Sequence, residues 1–152
     1  MRLHRLQPEI THTEGNSIVP AKAVGYTRDV DGNIVEVIKH HTHQFENQLK
    51  GKMKSELEHL PSFPTKEEVF VSISHGLHAA HEYRDFDLDN RAKTILDALK
   101  DAVYEDDKQV KVLLTDKMFL KDQQESYYKI SVKILDRKAE SMLDKHLSQI
   151  GV

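Results

Sequence analysis

The sequence predicts a single mixed α/β (α+β) domain, in which a mixed β-sheet with an N-terminal hairpin is packed by about three helices. Two features lead to this class. Segments that alternate between polar and apolar residues are interspersed with segments whose apolar residues recur every three or four positions, as in mixed domains. The length of 152 residues is enough for one hydrophobic core and leaves little room for a second.

The first part of the chain has the weakest pattern. Residues 1–16 show no clear period, and we expect a loosely attached N-terminal arm, followed by one domain over residues 17–152. Ser17–Val19 is short and β-prone. Pro20 is expected to end any strand there or to keep it at the edge of a sheet.

A β-hairpin and a helix are predicted next. The Asp31-Gly32 dipeptide favours a hairpin turn, and it separates two β-prone segments, 24–28 and 34–38. Residues 41–60 favour a helix, because apolar side chains recur every four positions at Phe45, Leu49, Met53 and Leu57. Two prolines that follow are expected to end this helix.

The rest of the chain is predicted to contain a strand, a loop, a helix, two more strands and a final helix. The middle helix begins at about Asp89, whose carboxylate is well suited to accept a capping hydrogen bond. Its apolar residues have the spacing of one helix face. In chain order the predicted segments are 69–74, 75–84, 89–103, 110–114, 127–135 and 137–150.

Composition excludes several classes of protein. The chain has no cysteine, which rules out disulfides, thiolate zinc sites and cysteine nucleophiles. No run approaches the roughly 18 apolar residues of a membrane span, and the N-terminus lacks the apolar centre of a signal peptide. We therefore expect a soluble, cytoplasmic protein without membrane contact. Neither a phosphate-binding glycine loop nor a nucleophile elbow is present, so no small-molecule cofactor is expected.

Charges are unevenly distributed along the chain. The net charge of −3 is opposite in sign to that of most domains that bind DNA through a basic surface. However, lysines are concentrated between Lys39 and Lys54, and acidic residues between Asp85 and Asp107. A basic wall beside a metal-loaded acidic pocket gives this distribution, because bound cations reverse the local field. An ordinary solvated surface gives it as well, and charge alone favours that simpler explanation.

The acidic segment is the strongest candidate for a functional site. Asp85, Asp87 and Asp89 alternate before the predicted helix and would share one side of an extended chain. A second pair, Asp106-Asp107, follows the helix. Clustered carboxylates repel one another, and oxygen ligands favour magnesium, calcium or manganese. An EF-hand is excluded, because its required glycine and final glutamate are replaced by asparagine and leucine. Taken singly, each aspartate is better explained by a loop, a helix cap or a turn.

Ten histidines raise the question of zinc binding. One group contains His40, His41 and His43, and another recurs every three residues from His75 to His81. Structural zinc usually has four ligands, and neither group has an obvious fourth. We therefore do not expect zinc. The 75–84 loop is expected either to be solvated or to contact DNA.

The joint spacing of these residues resembles a known signature. The string runs Asp87-x-Asp89-Asn90-x-x-Lys93-x-x-Leu96-Asp97-Ala98-Leu99 and closes with Asp106-Asp107-x-Gln109-Val110. It is similar to the signature of RusA-type endodeoxyribonucleases, which contains two acidic clusters, a lysine and the helix between them. A weaker similarity in the order of elements extends over most of residues 17–135. The chain departs from the family pattern at Lys100-Asp101, which we expect to affect only the end of the helix.

The resemblance implies an activity and a site. The catalytic carboxylates of the family correspond to Asp87, Asp89 and Asp107, and its functional lysine corresponds to Lys93. Asp106 is an adjacent alternative to Asp107 as a metal ligand. The implied cofactor is Mg²⁺, with Mn²⁺ as a substitute, and the implied reaction is phosphodiester hydrolysis.

The resemblance also implies partners. Family members are homodimers that act on four-way DNA junctions, which would associate this chain with the nucleoid. Two-fold symmetry allows one site per subunit to nick two related strands, and either the hairpin or the last helix could form the interface. The candidate phosphate-contacting residues are Lys22, Arg28, Lys39, Lys50, Lys52 and Lys54.

Two other functions remain compatible with the sequence. A RusA-like fold could bind junctions or a protein partner without cutting, although the complete acidic set favours an enzyme. A metal-dependent nuclease that acts on flaps or RNA would use the same phosphodiester chemistry. Similarity of fold does not separate these substrates.

Overall fold

The computed structural model describes residues 7–22, 24–38, 40–121 and 125–150, and it confirms the predicted mixed α/β class. The strands are β1 (Ile10–Gly15), β2 (Val24–Arg28), β3 (Ile34–Ile38), β4 (Val69–Leu77), β5 (Val110–Phe119) and β6 (Tyr127–Ile134). The helices are α1 (His40–Leu57), α2 (Ala80–Asp85), α3 (Leu88–Leu99) and α4 (Arg137–Gln149), with a short 3₁₀ helix at Asp107–Gln109. None of the helices in these described ranges is long and apolar enough to cross a membrane.

Four strands form the central sheet in the order β1-β6-β4-β5. β4 is antiparallel to β6 and parallel to β5. A parallel pair needs a crossover connection, which α2, α3 and the following loop provide. Thr65, which precedes β4, donates its backbone N–H to the carbonyl of Val103 just after α3. Consequently α3 begins near the carboxyl ends of β4 and β5 and ends near their amino ends.

The start of the chain is more ordered than its sequence pattern suggests. Residues 10–15, which we expected in a loose arm, form β1 and pair with β6. Ile10 and His12 are buried, and the His12 ring is hydrogen-bonded to Glu56 of α1 at 2.6 Å. The alternation is hard to recognise because a histidine and two threonines make most of it polar. Residues 1–6 of the expected arm lie outside the described residues.

The two faces of the sheet pack against different helices. Side chains of β4 alternate, so Val69, Val71 and Ile73 join the main core with residues of α1 and α3. Phe70 joins a smaller cluster with Leu143 of α4. The apolar face predicted for α1 is confirmed, since Leu49, Met53 and Leu57 are buried and Phe45 packs against the core. The main core therefore holds α3 against the sheet and fixes where its two ends lie.

The prediction of a loop over residues 75–84 was wrong, because a strand occupies the start of this segment and a helix occupies its end. β4 continues through His75 to Leu77, because β5 and β6 continue alongside it and supply hydrogen-bonding partners. Residues 80–85 form α2, a fourth helix in addition to the predicted three.

The β-prone segment Ser17–Val19 does not form a strand. Ser17 makes one backbone hydrogen bond beside the sheet, to the carbonyl of Ser126 at 3.0 Å, and the following residues are bound to α3. Arg91 donates to the carbonyl of Val19 at 2.6 Å, and the backbone N–H of Lys22 donates to the side-chain oxygen of Asn90 at 2.6 Å. Beyond Ser17, these side-chain partners take the place of the ladder bonds that a strand would make.

The predicted hairpin is confirmed as a separate two-stranded sheet of β2 and β3. Gly32 in its turn has a φ of 80°, a left-handed conformation that glycine adopts without steric cost. The carboxylate of Asp29 accepts hydrogen bonds from two backbone N–H groups of the turn. Tyr26 and Ile34 are 70% and 67% exposed, so the hairpin presents apolar surface to solvent.

Candidate active site

The start of α3 presents two exposed carboxylates. Asp87 is the N-cap residue and Asp89 lies in the first turn, so the prediction that Asp89 caps the helix was wrong by two residues. The helix begins earlier because Phe86 is buried and holds the chain against the core directly before it. The Asp87 side chain makes no capping hydrogen bond, although aspartate at an N-cap commonly does. The backbone N–H of Asn90 nevertheless lies close enough to both carboxyl groups to favour a lower pKa for each, so the start of the helix stabilises their negative charge without a full capping hydrogen bond.

The carboxyl groups of Asp87 and Asp89 lie within hydrogen-bonding reach of each other. Asp89 raises the pKa of Asp87 above its ordinary value, because a proton on Asp87 is shared with the neighbouring carboxylate. The same contact lowers the pKa of Asp89, and the backbone N–H of Asn90 adds to this effect. When both groups are ionised, the pair concentrates two negative charges, and a bound cation relieves their repulsion.

The residue before Asp87 is fixed in the core. Phe86 is 4% exposed, its ring centre lies 4.6 Å from that of His75, and the guanidinium of Arg91 lies 4.7 Å from the ring centre. Burial lowers the pKa of His75 to about 4, so this histidine is neutral at physiological pH and serves here as a packing group. These contacts fix the point at which the chain enters α3.

A cavity of about 280 Å³ opens beside this anchored residue. It is lined by Ile18, His81, Glu82, Asp85, Phe86 and Arg91. Neither Asp87 nor Asp89 lines the cavity, although Phe86, which directly precedes Asp87, does.

The second acidic pair is arranged differently. The Asp106 carboxylate accepts the backbone N–H two residues further on at 2.9 Å, and Gln109 accepts the backbone N–H of Asp106 at 3.0 Å, which completes a capping box. The capping bond lowers the pKa of Asp106. Gln109 also donates to the carbonyls of Thr65 and Glu67, which ties this turn to the chain just before β4. Asp107 is exposed and lies outside the capping box.

The two acidic pairs lie at opposite ends of α3. A helix of 12 residues is about 18 Å long. Asp87 and Asp89 are at its N-terminal end, whereas Asp106 and Asp107 lie beside its C-terminal end. Within the described parts of the chain, no group of three or more Asp, Glu, His or Cys side chains is arranged to hold a metal ion. Of the three carboxylates predicted to share one metal, the structure brings together Asp87 and Asp89 but not Asp107.

The Asp87–Asp89 pair has the chemistry of a magnesium site. Both donors are carboxylate oxygens, and both residues are exposed. Mg²⁺ keeps several waters and is commonly bound by one or two protein carboxylates together with substrate phosphates. The residues present therefore fit a cation whose coordination is completed by water and phosphate.

Between the acidic pairs, α3 carries an exposed lysine and a buried ion-pair network. The ammonium of Lys93 is 3.9 Å from Asp97 and its side chain is 61% exposed, as in a weak i, i+4 pair. Asp97 also binds Lys22 at 2.8 Å, and Lys22 binds Glu46 of α1 at 2.5 Å. Burial alone would lower the pKa of Lys22, but its hydrogen bonds to Asp97 and Glu46 outweigh burial and raise it. Lys22 thus joins α1 to α3, and a phosphate contact would require it to leave two carboxylates.

The other predicted phosphate-contacting residues are distributed over the hairpin and α1. Arg28 lies on the exposed hairpin, and Lys50, Lys52 and Lys54 lie on α1. Lys50 and Lys52 each have an acidic neighbour, at 3.8 and 2.7 Å respectively, and Lys54 is exposed. Lys39 lies outside the described residues.

Sequence reasoning missed the residues that hold the site in place. Asn90 and Arg91 bind the segment before the hairpin, while His75 packs beneath Phe86. The sequence contains one signal of this arrangement. Phe86 is an aromatic residue set between alternating aspartates, where a fully solvated loop would be polar throughout.

Comparison with known proteins supports an assignment to a family. The family model described as Endodeoxyribonuclease RusA matches residues 4–135. The matched region includes both acidic pairs and all strands of the central sheet. No curated protein matches the chain.

Proposed function

Because this chain belongs to the RusA endodeoxyribonuclease family, we propose that it resolves Holliday junctions by paired, symmetric nicks that depend on Mg²⁺. Membership implies a junction-resolving endonuclease that acts on branched DNA, and nucleases of this kind normally need a divalent metal. The observation that carries the finer proposal is the pair of Asp87 and Asp89, two exposed carboxylates within hydrogen-bonding reach of each other at the start of α3.

In this proposal Asp87 and Asp89 hold the cation, which when bound would act as a Lewis acid and lower the pKa of a water. Both carboxylates would bind the cation in their ionised form. We assign to Lys93 a contact with the scissile phosphate, where its charge would compensate the charge that develops on the phosphoryl oxygens. Its ion pair with Asp97 is long, at 3.9 Å, and pairs of exposed groups contribute little. Reorienting Lys93 towards DNA therefore costs little.

We assign the role of third carboxylate to Asp107 rather than to Asp106. The carboxylate of Asp106 is bound in the capping box, whereas Asp107 is exposed beside it. Because α3 separates Asp107 from the Asp87–Asp89 pair, a site that contains all three requires a rearrangement on DNA binding or on assembly.

We also propose a homodimer. The strands of a four-way junction are related by two-fold symmetry, and a symmetric pair of subunits brings one site to each of two related strands. The hairpin is a candidate interface, because it exposes Tyr26 and Ile34 and an isolated two-stranded sheet is marginally stable in water. The last helix, α4, remains the alternative.

The test is cleavage of a mobile four-way junction in Mg²⁺ or EDTA, with linear duplex, flap and RNA substrates as controls. We expect paired symmetric nicks in the junction that disappear in EDTA. Tight junction binding without cleavage in any metal would replace the proposal with a binding module. Cleavage of flaps or RNA alone would keep the chemistry and change the substrate.

A further inference from the structure

Lys117, near the end of β5, binds two backbone carbonyls. Its ammonium donates to the carbonyl of Tyr83 at 2.6 Å and to the carbonyl of Phe86 at 3.1 Å. It also lies 4.5 Å from the centre of the Tyr83 ring. The side chain is only partly exposed, so its charge is directed at the end of α2 instead of into solvent.

Both carbonyls belong to the chain as it leaves α2. The last carbonyls of a helix have no partner within the helix and carry partial negative charge. The backbone N–H of Phe86 donates to Tyr83 O at 3.4 Å, and Lys117 binds the same two residues from the sheet. The lysine therefore fastens this turn to β5.

The carbonyl of Phe86 is part of the peptide group that leads into Asp87. The orientation of that peptide plane sets the backbone direction of Asp87, and hence the direction of its carboxylate. The ring of Phe86 is held separately by His75 and Arg91. Ring contacts thus fix the side chain of Phe86, while Lys117 fixes its peptide plane.

We propose that Lys117 is a positioning residue for the candidate cation site, because its hold on the Phe86 carbonyl orients Asp87 towards Asp89. The inference rests on the proposed role of these two carboxylates and extends it to a residue 31 positions away from Phe86 in the sequence. Lys117 acts through the backbone of its neighbours and is not itself a catalytic residue.

The test compares three variants of the full chain. Lys117→Met removes the ammonium and keeps the length of the side chain, and Lys117→Arg restores a charged donor. Lys133→Met is the matched control, since Lys133 is a partly buried lysine of the same sheet whose ammonium binds Glu9 at 2.8 Å. Lys133 pairs with Phe70 near the start of β4, at the end of that strand away from Asp87.

Two measurements are made on each variant. One is the Mg²⁺ concentration that gives half-maximal junction cleavage, together with kcat at saturating Mg²⁺. The other is hydrogen–deuterium exchange of backbone amides over residues 83–90 in EDTA. We expect Lys117→Met to raise the half-maximal Mg²⁺ concentration about tenfold, with kcat at saturation largely kept, and to speed exchange in residues 83–90. Lys117→Arg should recover most of both effects, and Lys133→Met should show neither.

An unchanged Mg²⁺ requirement with unchanged exchange in Lys117→Met would overturn the proposal. Equal effects in Lys133→Met would overturn it too, because they would indicate general loosening of the sheet. If Lys117→Met does not fold, Lys117→Leu, which also removes the donor, is measured in the same way and judged by the same outcomes. The exchange measurement does not depend on cleavage. If Asp87→Asn shows that the carboxylates bind no metal, the proposed function fails. The exchange rates would still show whether Lys117 fixes residues 83–90.

Discussion

The two acidic pairs at the ends of α3 are similar in sequence and different in structure. In both pairs the two carboxyl groups lie within hydrogen-bonding reach of each other. At the C-terminal end, however, Asp106 is bound in a capping box, while Asp107 is exposed beside it. At the N-terminal end, both carboxylates are exposed and Asp87 makes no such capping bond.

The local backbone explains this difference. Asp87 directly follows the buried residue Phe86, and the strongest influence on its carboxyl group is the hydrogen bond with Asp89, with a weaker one from the backbone N–H of Asn90. Asp106 is followed by a tight 3₁₀ turn, which brings a backbone N–H within 2.9 Å of its carboxylate. The comparison shows that the turn around an aspartate, more than its acidic neighbours in sequence, decides whether it is available to a cation.

The largest effect is expected from neutralising the first pair. Asp87→Asn or Asp89→Asn removes one carboxylate of the proposed cation site and keeps a polar side chain of similar size, and we expect junction cleavage to fall about a thousandfold. Junction affinity in EDTA should be retained, and thermal stability in EDTA should not fall, because the repulsion between the carboxylates is lost. Single-turnover cleavage, gel-shift binding and thermal unfolding measure the three quantities. Undiminished cutting by either variant would remove both aspartates from the site.

In the second pair we expect smaller effects, with a loss of cleavage rate from one substitution and a loss of thermal stability from the other. Asp107→Ala should slow cleavage, up to about a hundredfold, and leave the unfolding temperature unchanged. Asp106→Ala removes a cap, so it should lower Tm by about 2 to 4 °C and keep most of the cleavage rate. Calorimetry and cleavage rates, measured on both variants, decide the assignment. If Asp106→Ala were the inactive variant and Asp107→Ala the unstable one, the two roles would have to be exchanged.

Lys93, which lies between the pairs, should have an intermediate effect. We expect Lys93→Ala to slow the cleavage step about tenfold and to weaken junction binding less. Its pair with Asp97 contributes only a few tenths of a kcal/mol, so stability should hardly change. Lys54→Ala, a variant of an exposed lysine on α1, is the comparison: it should weaken binding in a salt-dependent way and leave the single-turnover rate unchanged. If Lys93→Ala weakened binding as much as it slowed cleavage, Lys93 would contact a phosphate without a specific role in the cleavage step.

The smallest effect is a difference in pH dependence between the pairs. Asp89 raises the pKa of Asp87, whereas capping lowers the pKa of Asp106. Below the ordinary pKa of an aspartate, the shared proton on Asp87 stabilises the folded metal-free protein, and this contribution is lost as the pH rises through the raised pKa. The opposite holds for Asp106, whose contribution is lost as the pH falls through its lowered pKa.

Carboxyl-carbon NMR in EDTA measures both groups. Asp87 should titrate above Asp106, and Asp89→Asn should move the Asp87 pKa down. The increase in Tm produced by Mg²⁺ should disappear as the pH falls through the Asp87 pKa. An Asp87 pKa that does not respond to Asp89→Asn would mean that the two carboxyl groups do not meet in solution.

Much of the fold could be predicted because its periodic patterns are long. The predicted apolar faces of α1 and α3, the alternation of residues 127–135, which form β6, and the Asp31-Gly32 turn are all present in the structure. α2 could not be predicted in this way, since it is six residues long and buries none of them, which leaves no apolar face to detect. β1 was missed because a strand is defined by its partner, and its partner β6 lies at the other end of the sequence.

The candidate site could be predicted as a set of residues but not as a geometry. The sequence identifies the aspartates before and after α3, but the extended segment expected for Asp85, Asp87 and Asp89 was wrong, since Asp85 ends α2 and Asp89 lies in the first turn of α3. Asp107 is separated from Asp87 and Asp89 by the length of α3. That length could be estimated from the number of residues in the helical pattern. The hold of His75, Arg91 and Lys117 on Phe86 depends on contacts between distant segments, which no local pattern encodes.

The position of β1 also determines when the central sheet can finish forming during folding. Among the described residues, β1 is the first strand in the chain, and it lies at the edge of the sheet beside β6, the last. Contacts between the two strands, such as that between Thr11 and Ser131, join residues 120 positions apart. During translation β1 can pair with β6 only after the intervening residues have been synthesised, and such distant pairings form slowly. A nascent chain that stops after β5 would therefore leave β1 without its partner strand, and the unpaired edges would be open to association.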